Sequence, residues 1–335
     1  MNAPMNPEVA SPDRKVRPST WSRILAIREV GSLAALIAML LVLTVAIPQF
    51  GQWGNLVNIT RNFSFVGIVA LGMTLVILTG GIDLSVGSVW GMTAVLTASL
   101  MSQGWLIAPA IPVGLLAAAA VGLFNGLCVT RLNMSPFVPT LASLSIARSL
   151  ALIITHGRPI SNFGPQKQAF YWIGGGDIGG VPNPFILFVL LAIIFWIVLS
   201  RTVWGRRVYA VGGNEKAARL TGLNVRRLKV SVYIISALCA GIAGIVQASY
   251  LSSVTASLAT GQELSVIAAT VIGGVNLSGG EGTIFGVLIG TVMLEVLRNG
   301  LLLFGIDPYW QGVFVGAIIV IAVSLDRFRK SVGRD

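Results

Sequence analysis

Residues 184–200 read PFILFVLLAIIFWIVLS, a stretch without a single charged residue. A helix needs about 20 mostly apolar residues to cross the hydrocarbon core of a bilayer. Backbone polar groups inside lipid must be satisfied within the element itself, so a helix is the structure expected for such a run. The stretch therefore predicts a transmembrane helix.

Runs of the same character recur on both sides of this stretch. They predict an all-α integral membrane protein, a polytopic bundle of about ten transmembrane helices in which some segments can be re-entrant. An even number of spans places both termini on the same side of the membrane. The other runs lie near residues 30–50, 63–80, 84–103, 107–130, 136–155, 230–252, 263–280, 283–304 and 309–325.

The composition excludes a soluble globular protein. Hydrophobic residues make up 55% of the 335 residues, charged residues only 10%, and the mean hydropathy is +0.84. Soluble domains carry roughly 25% charged residues, so a soluble fold of this composition would expose apolar surface over most of its area. Cys128 and Cys239 both fall in apolar runs and are interpreted as buried small residues rather than as a disulfide framework.

The positive charge is concentrated in a few segments. A net charge of +11 would make nucleic acid a candidate partner of a soluble protein. Here 18 of the 23 cations lie in the first 29 residues, in residues 201–229, after Asp326, or at Arg131. All of these segments can share one side of the membrane, as the positive-inside rule describes. The pattern argues against nucleic acid and assigns both termini to the cytoplasm. Arg61, Arg148 and Arg298 fit this pattern less well and are expected at interfaces or inside the bundle.

These features predict three regions. Residues 1–29 form a retained cytoplasmic tail without a cleavable signal peptide, residues 30–325 form the transmembrane domain, and residues 326–335 form a cytoplasmic C-terminal tail. Residues 201–229 form a cytoplasmic loop inside the second region, whereas the Gly- and Pro-rich loop at 157–183 lies outside.

One peptide occurs twice in similar form. GGIDLSVG at residues 80–87 resembles GGVNLSGG at residues 273–280, and an even number of predicted spans between them brings both to the same face. Each copy fits a broken or re-entrant helix that lines a pathway, a device found in transporters. Each also fits a tight turn in which Asp83 or Asn276 caps the next helix, and Asn125 and Gln247 can serve either a pathway or helix packing. The candidates for the pathway or for helix breaks are Asp83, Ser85, Asn125, Gln247, Asn276 and Ser278.

The 201–229 loop predicts a short helix of about two turns. Asn214 is a favourable N-cap, Glu215 complements the positive end of the helix, and Gly222 is a favourable stop. A helix this short is marginal alone in water, so it is expected to dock on a partner. The alternative is a solvated basic loop that only sets topology. The docking residues expected are Asn214, Glu215, Lys216, Ala217, Ala218, Arg219, Leu220 and Gly222, with Ala217, Ala218 and Leu220 as the apolar patch.

These peptides resemble a known family. Ala217-Ala218-x-x-x-Gly222 is similar to the coupling motif of importer permeases of the ATP-binding-cassette class, although Lys216 stands where that class often has Glu and Glu215 would serve instead. The Gly-Gly peptides look like the ribose/xylose/galactose branch of these permeases, and the similarity extends from about residue 30 to 327. The segments that carry it are residues 80–87 (GGIDLSVG), 272–280 (IGGVNLSGG) and 282–286 (GTIFG).

The resemblance implies a multi-pass permease of the bacterial inner membrane that carries a small neutral solute, most simply a monosaccharide. Two permease copies would form the pathway, two ATPase subunits would bind the short helices, and an extracytoplasmic sugar-binding protein would deliver the solute. ATP hydrolysis belongs to the partner chain, because LSGGE at residues 277–281 resembles an ATPase signature but the phosphate-binding loop that must accompany it does not occur. No catalytic residue, cofactor or metal is expected.

Two other classes of function fit the sequence less well. A secondary transporter would couple solute movement to protons through Asp83, Glu263, Glu281 or Glu295, but it leaves the cytoplasmic helix unexplained. A membrane enzyme or its anchor subunit would need a catalytic constellation. His156 is the only histidine, so it cannot build a metal cluster with two buried cysteines.

Overall fold

A computed structural model of the chain describes residues 28–314, 316–317 and 320. Residues 1–27 of the predicted N-terminal tail, the predicted C-terminal tail and part of the run predicted at 309–325 lie outside the described residues.

The described part of the chain is almost entirely helical. Its α-helices are α1 (Arg28–Ala46), α2 (Trp53–Leu78), α3 (Val86–Ser102), α4 (Ile107–Arg131), α5 (Phe137–Thr155), α6 (Lys167–Gly175), α7 (Asn183–Arg201), α8 (Val203–Gly213), α9 (Glu215–Leu220), α10 (Val225–Leu251), α11 (Gln262–Ile272) and α12 (Ile284–Leu303). A 3₁₀ helix covers Pro308–Trp310, and β1 (Asp177–Ile178) pairs with β2 (Val181–Pro182) in an antiparallel hairpin.

Six helices are long and apolar enough to span a membrane: α2, α4, α5, α7, α10 and α12. This supports an all-α membrane protein, but the predicted count of about ten spanning helices is not reached among the described residues. The apolar part of α1, together with α3 and α11, falls short of the required length. Spanning length is therefore a property of only some of the apolar runs.

The spanning helices divide into a centre and a periphery. The most apolar stretch of α2 is 89% buried and that of α10 is 61% buried, whereas those of α4, α5 and α7 are only 22–28% buried. Helix α10 packs against α2, α3 and α4. The outer helices therefore present apolar side chains to their surroundings, as expected of helices in contact with lipid.

Small residues allow α4 and α10 to approach closely. A Cβ on Gly122 would lie 2.5 Å from the Tyr233 carbonyl oxygen, and one on Gly126 would lie 2.8 Å from Val230 Cα. A larger side chain at either position would push the two helices apart, so these glycines serve close helix packing.

Helix α11 is only half as long as a spanning helix, because residues 252–261 before it are irregular. This irregular segment packs inside the bundle: a Cβ on Gly91 of α3 would lie 2.6 Å from the Leu258 carbonyl oxygen. Arg148 of α5 donates hydrogen bonds to the carbonyls of Ala256 (2.5 Å) and Leu258 (2.8 Å). Non-helical backbone at membrane depth requires such partners, which explains an arginine inside an apolar run.

The segment between α5 and α7 contains structure that the sequence did not predict. Helix α6 packs against α10, and a tight turn at Gly179 and Gly180 joins β1 to β2, with φ of 62° and 82°. Two successive positive φ values are characteristic of the type I′ hairpin turn, which glycine adopts without strain.

Candidate functional site

Three backbone segments meet at one end of the bundle. The Gly280 N–H donates a hydrogen bond to the Leu78 carbonyl at 3.0 Å, and a Cβ on Gly279 would lie 3.0 Å from the Gly80 nitrogen. The two Gly-Gly motifs therefore lie at the same face, as predicted, and also contact each other. A Cβ on Gly212, near the end of α8, would overlap that same Leu78 oxygen. The Tyr209 hydroxyl also donates to the Gly282 carbonyl at 2.8 Å. We call this contact of Leu78, Gly212 and Gly280 the glycine junction.

Both Gly-Gly motifs contain the same local turn. Asp83 Oδ1 accepts a hydrogen bond from the Ser85 N–H, and Asn276 Oδ1 accepts one from the Ser278 N–H, each at 3.0 Å. A side-chain bond to the backbone two residues on defines an Asx turn. The sequence repeat therefore corresponds to a structural repeat.

Neither Asp83 nor Asn276 is the N-cap of a helix. Ser85 occupies the N-cap position of α3, and Thr283 occupies that of α12, where its hydroxyl accepts a hydrogen bond from the Gly286 N–H at 3.0 Å. The N-cap alternative for Asp83 and Asn276 is therefore wrong. Asp83 lies three residues before α3 begins at Val86, and Asn276 lies eight residues before α12 begins at Ile284.

Asp83 belongs to a connected network of buried side chains. Ser85 Oγ (2.6 Å) and Ser236 Oγ (3.0 Å) both donate hydrogen bonds to its carboxylate. Ser85 Oγ in turn accepts from Asn125 Nδ2 (3.0 Å), and Ser143 Oγ donates to Asn125 Oδ1 (2.5 Å). Each of the five side chains is at most 2% exposed. The network ties the turn before α3 to α4, α5 and α10.

The direction of these bonds suits an acceptor at position 83. The two serine hydroxyls and the Ser85 N–H all donate toward the Asp83 carboxylate. The carboxylate also lies at the start of α3, where the helix dipole favours a negative charge. Asp83, Ser85 and Asn125 are thus enclosed by protein in this structure, and any role in a pathway needs the surrounding helices to separate.

The short helix predicted in the 201–229 loop is α9, and its ends follow the predicted pattern. Asn214 Oδ1 accepts a hydrogen bond from the Ala217 N–H at 3.0 Å. After the helix, Gly222 has φ of 80°, and the Leu223 N–H bonds back to the Ala218 carbonyl at 3.3 Å. This backward bond is part of a Schellman motif at the C-terminal end of the helix. The motif favours glycine at position 222, because the residue there adopts a left-handed backbone conformation.

The two alanines of α9 face in opposite directions. Ala218 is only 5% exposed and packs against the rest of the chain, whereas Leu220 is 90% exposed. Ala217, Lys216 and Arg219 are exposed as well. The apolar patch available to a partner therefore consists of Ala217 and Leu220. Ala218 instead packs α9 against the bundle.

Glu215 attaches α9 to α10. Its carboxylate forms ion pairs with Arg219 (2.5 Å) and with Lys229 of α10 (2.7 Å). Burial alone would raise the pKa of Glu215, but the hydrogen bonds and charges of Lys229 and Arg219 outweigh burial and hold the pKa below its ordinary value. Glu215 is therefore engaged within the chain, whereas Lys216 is exposed.

A polar cavity of about 270 Å³ lies between α2, α3, α10, α11 and α12. Helix α12 contributes a stripe with the spacing of one helix face, namely Glu295, Arg298, Asn299 and Leu302. The Arg298 guanidinium donates to Ser265 Oγ of α11 at 2.5 Å. The start of α11 thus forms one wall of the cavity.

Of the six pathway candidates, only Gln247 lines this cavity. Sequence reasoning missed Asn62, Trp90 and Gln262, which also line it, and considered Glu295 only for proton coupling. The spacing of Glu295, Arg298 and Asn299 at i, i+3 and i+4 in an otherwise apolar helix was the available signal. Asn62 and Trp90 give no such signal, because they come from separate helices.

Comparison with known proteins places this geometry in a family. Residues 55–323 match the family described as branched-chain amino acid transport system / permease component. The ribose import permease protein RbsC of Bacillus subtilis is 40% identical over 304 residues, which cover 91% of this chain and 94% of that protein. RbsC of Escherichia coli K12 is 38% identical over 303 residues, with coverage of 90% and 94%.

The similarity extends to a relative that is named for another sugar. The L-arabinose ABC transporter permease protein AraH of Azospirillum brasilense is 31% identical over 329 residues, which cover 98% of this chain and 95% of that protein. No solved structure was found to match the chain. The glycine junction and α9 both lie within the matched region, and the chain accordingly belongs to this family of permease components, the membrane-spanning subunits of ATP-binding-cassette importers.

Proposed function

We propose that the chain forms the translocation pathway for a monosaccharide and that it works by alternating access, driven by ATP hydrolysis on a separate subunit. Its relatives are named as permeases for ribose and L-arabinose. The spanning helices carry few ionisable residues, as suits a neutral solute.

The observation that carries the proposal is the glycine junction. Gly212 precedes α9 by three residues, and its backbone lies against both Gly-Gly motifs through Leu78 and Gly280. If α9 moves, Gly212 moves with it. That movement is passed on to the inner end of α2 and to the segment between α11 and α12. This is the connection that a coupling helix requires.

The ATPase subunit is proposed to bind the exposed face of α9. Ala217 and Leu220 supply a small apolar contact, and Lys216 and Arg219 supply charge around it. A groove on the ATPase would satisfy this face, since an isolated helix of this length is marginal in water. A second copy of this chain and an extracytoplasmic sugar-binding protein complete the proposed importer.

The same junction supports a proposed orientation. The ends of α2 and α8 meet there, and the eight cations of residues 201–229 make that side cytoplasmic. Among the described residues we propose nine crossings: the six long helices, α1, α3, and one formed by residues 252–261 together with α11. The tenth, predicted at 309–325, falls largely outside the described residues and stays a prediction. Both termini are then cytoplasmic.

The test is ATP-driven uptake. The chain is purified with its ATPase subunit, reconstituted into proteoliposomes with the binding protein, and supplied with radiolabelled ribose, arabinose and xylose. Uptake is expected with ATP and not with a non-hydrolysable analogue. Sugar uptake that follows an imposed proton gradient without ATP would refute the proposal, and so would purification of a functional transporter that contains no ATPase.

A further inference from the structure

We infer that the polar cavity between α2, α3, α10, α11 and α12 is a binding site for a neutral polyhydroxylated solute within the permease itself. The inference rests on the proposed function, because it assigns a contact site to the solute that the pathway carries. Its starting point is the set of polar side chains around the cavity: Asn62, Gln247, Gln262, Glu295, Arg298, Asn299 and Gln311, with the indole of Trp90.

Several of these side chains have buried polar atoms without a protein partner. Trp90 Nε1, Gln247 Oε1 and Arg298 Nε are all buried and make no hydrogen bond to the described residues. Trp90 as a whole is only 1% exposed. Buried polar atoms in native proteins are rarely left unsatisfied, and an exception calls for an explanation such as a ligand.

The chemistry of these atoms fits hydroxyl groups. Trp90 Nε1 and Arg298 Nε can only donate, and Gln247 Oε1 can only accept. A hydroxyl group both donates and accepts, so the hydroxyl groups of a polyol match a lining that presents donors and acceptors together. A ligand that only donates or only accepts would leave at least one of them unpaired.

The charge of the cavity favours a neutral solute. Glu295 and Arg298 are the charged side chains among its lining residues, and they carry opposite signs. An ion entering the cavity would meet one repulsive charge for each attractive one. The apolar lining consists of Phe65, Val66 and Leu302 beside Trp90. This is a small apolar surface on which to bind the branched side chain of an amino acid such as leucine.

The location of the cavity suits a solute that arrives from outside. Asn62 precedes Leu78 of the glycine junction by a distance of about 24 Å along α2, at 1.5 Å per residue. The cavity therefore lies in the half of the bundle remote from α9. A volume of about 270 Å³ is near the lower limit of ligand pockets, as suits a single sugar ring.

The experiment compares variants in the reconstituted importer, all with the same ATPase and binding protein. Gln247→Leu removes the unpaired acceptor at nearly constant volume, and Trp90→Phe removes the unpaired donor but keeps an aromatic ring. Gln103→Leu makes the same change as the first variant on an exposed residue at the end of α3 and serves as the matched control. Initial uptake rates are measured for ribose, arabinose, xylose and leucine over a range of concentrations.

Both cavity variants are expected to lower sugar uptake at subsaturating concentration at least tenfold and to change the ratio of ribose to arabinose uptake. A purely structural role would not change that ratio, since the binding protein is the same throughout. Trp90→Phe loses no protein hydrogen bond, but the smaller ring leaves a cavity in the core, so its melting temperature is expected to fall by a few degrees. Gln103→Leu is expected to transport as the wild type does.

Failure of the inference and failure of the proposed function give different results. If the wild type and both cavity variants carry sugar at equal rates and with equal preference, the cavity is not a solute site and the proposed function stands. If the wild type carries leucine in preference to every sugar, or carries no sugar with ATP, the proposed function and the inference are both refuted.

Discussion

Asp83 and Asn276 occupy matching positions in the two Gly-Gly motifs, yet their side chains have different hydrogen-bonding partners. Each accepts one backbone N–H in an Asx turn. Asp83 accepts two serine hydroxyls in addition, whereas the Asn276 amide donates to Glu281 Oε2 at 3.3 Å. An acceptor-only carboxylate suits the first position and an amide suits the second.

This difference predicts the effect of Asp83→Asn. The new NH₂ group would face donors in the buried network, and leaving such a group unsatisfied costs about 1–3 kcal/mol. A fall of that size in the free energy of unfolding is expected from denaturation of the purified protein in detergent. Asp177→Asn, in the exposed hairpin turn, is the control and should change stability by less than about 0.5 kcal/mol.

The same variant separates coupling by ATP from coupling by protons. Asp83 is held as an acceptor within a packed network, so the uptake that remains in Asp83→Asn is expected to keep the pH dependence of the wild type. A variant that folds normally but loses a pH-driven component of uptake would contradict the structural role proposed for this carboxylate.

At the scale of the element, α9 presents one face to its own chain and another to solvent. Ala217→Glu and Leu220→Asp alter the exposed face and are expected to leave folding unchanged. Both should weaken binding of the ATPase subunit at least tenfold, or about 1.4 kcal/mol, in a titration of the purified subunits. Ala218→Glu places a charge on the buried face and is expected to detach α9 from the bundle, with a cost on the order of 2 kcal/mol.

The two kinds of variant distinguish docking from folding. Normal ATPase binding by Leu220→Asp would contradict the assignment of this face. A stable, correctly folded Ala218→Glu variant would contradict the inward orientation of Ala218.

The attachment of α9 to α10 is expected to depend on pH through Glu215. Its pKa is lower in the folded chain than its ordinary value of 4.5. A carboxyl with a depressed pKa stabilises the folded state above the unfolded pKa, and this contribution is lost as the pH falls through the folded pKa. Amide hydrogen exchange in α9, corrected for intrinsic rates, should therefore be faster below pH ~4 than at pH 7.

Glu215→Gln provides the control for this effect. The amide cannot titrate, so protection of α9 in this variant should be reduced at both pH values and should not change between them. Equal protection of wild-type α9 at both pH values would show that the ion pairs with Arg219 and Lys229 do not hold the helix.

The sequence was most informative about elements whose signals are local. The run at 136–155 corresponds closely to α5, and the caps of α9 were predicted because Asn214 and Gly222 act on neighbouring backbone groups. The run at 263–280 overestimated α11, which ends at Ile272 where Gly273 and Gly274 follow. The sequence stays apolar beyond Ile272, but the helix does not continue.

What the sequence could not reveal are arrangements assembled from distant segments. Gln247 was a pathway candidate by its polarity alone, while the cavity it lines also needs Trp90 and Asn62 from other helices. The opposite orientation of Ala217 and Ala218 is likewise set by packing against the bundle. No periodicity within one element contains that information.

For the whole molecule, the glycine junction places the backbone of α8 against the end of α2 and the second Gly-Gly motif, and we expect these three segments to move together. Gly212→Ala would drive a methyl group into the Leu78 carbonyl, whereas a Cβ on the neighbouring Gly213 meets nothing within 4 Å. Gly212→Ala is expected to cost about 1–3 kcal/mol of stability, as overpacking does. ATP-driven uptake should fall more than ATP hydrolysis does.

Gly213→Ala is the matched control and is expected to retain both uptake and its ratio to hydrolysis. The comparison is made in proteoliposomes with measurements of phosphate release and sugar accumulation on the same sample. If Gly212→Ala kept the wild-type ratio of sugar carried to ATP hydrolysed, the junction would not transmit the motion of α9.

The irregular segment before α11 has a consequence for how the chain is made. A helix of 11 residues is too short to be stable across a bilayer by itself, and the carbonyls of Ala256 and Leu258 depend on Arg148, which lies more than a hundred residues earlier in the chain. Biosynthesis must therefore place α5 in the membrane before residues 252–272 can settle, in keeping with a two-stage assembly in which long helices insert first and the remaining segments follow. Because synthesis proceeds from the N-terminus, α5 is made before residues 252–272. A truncated chain that begins after α5 would leave this region on the membrane surface.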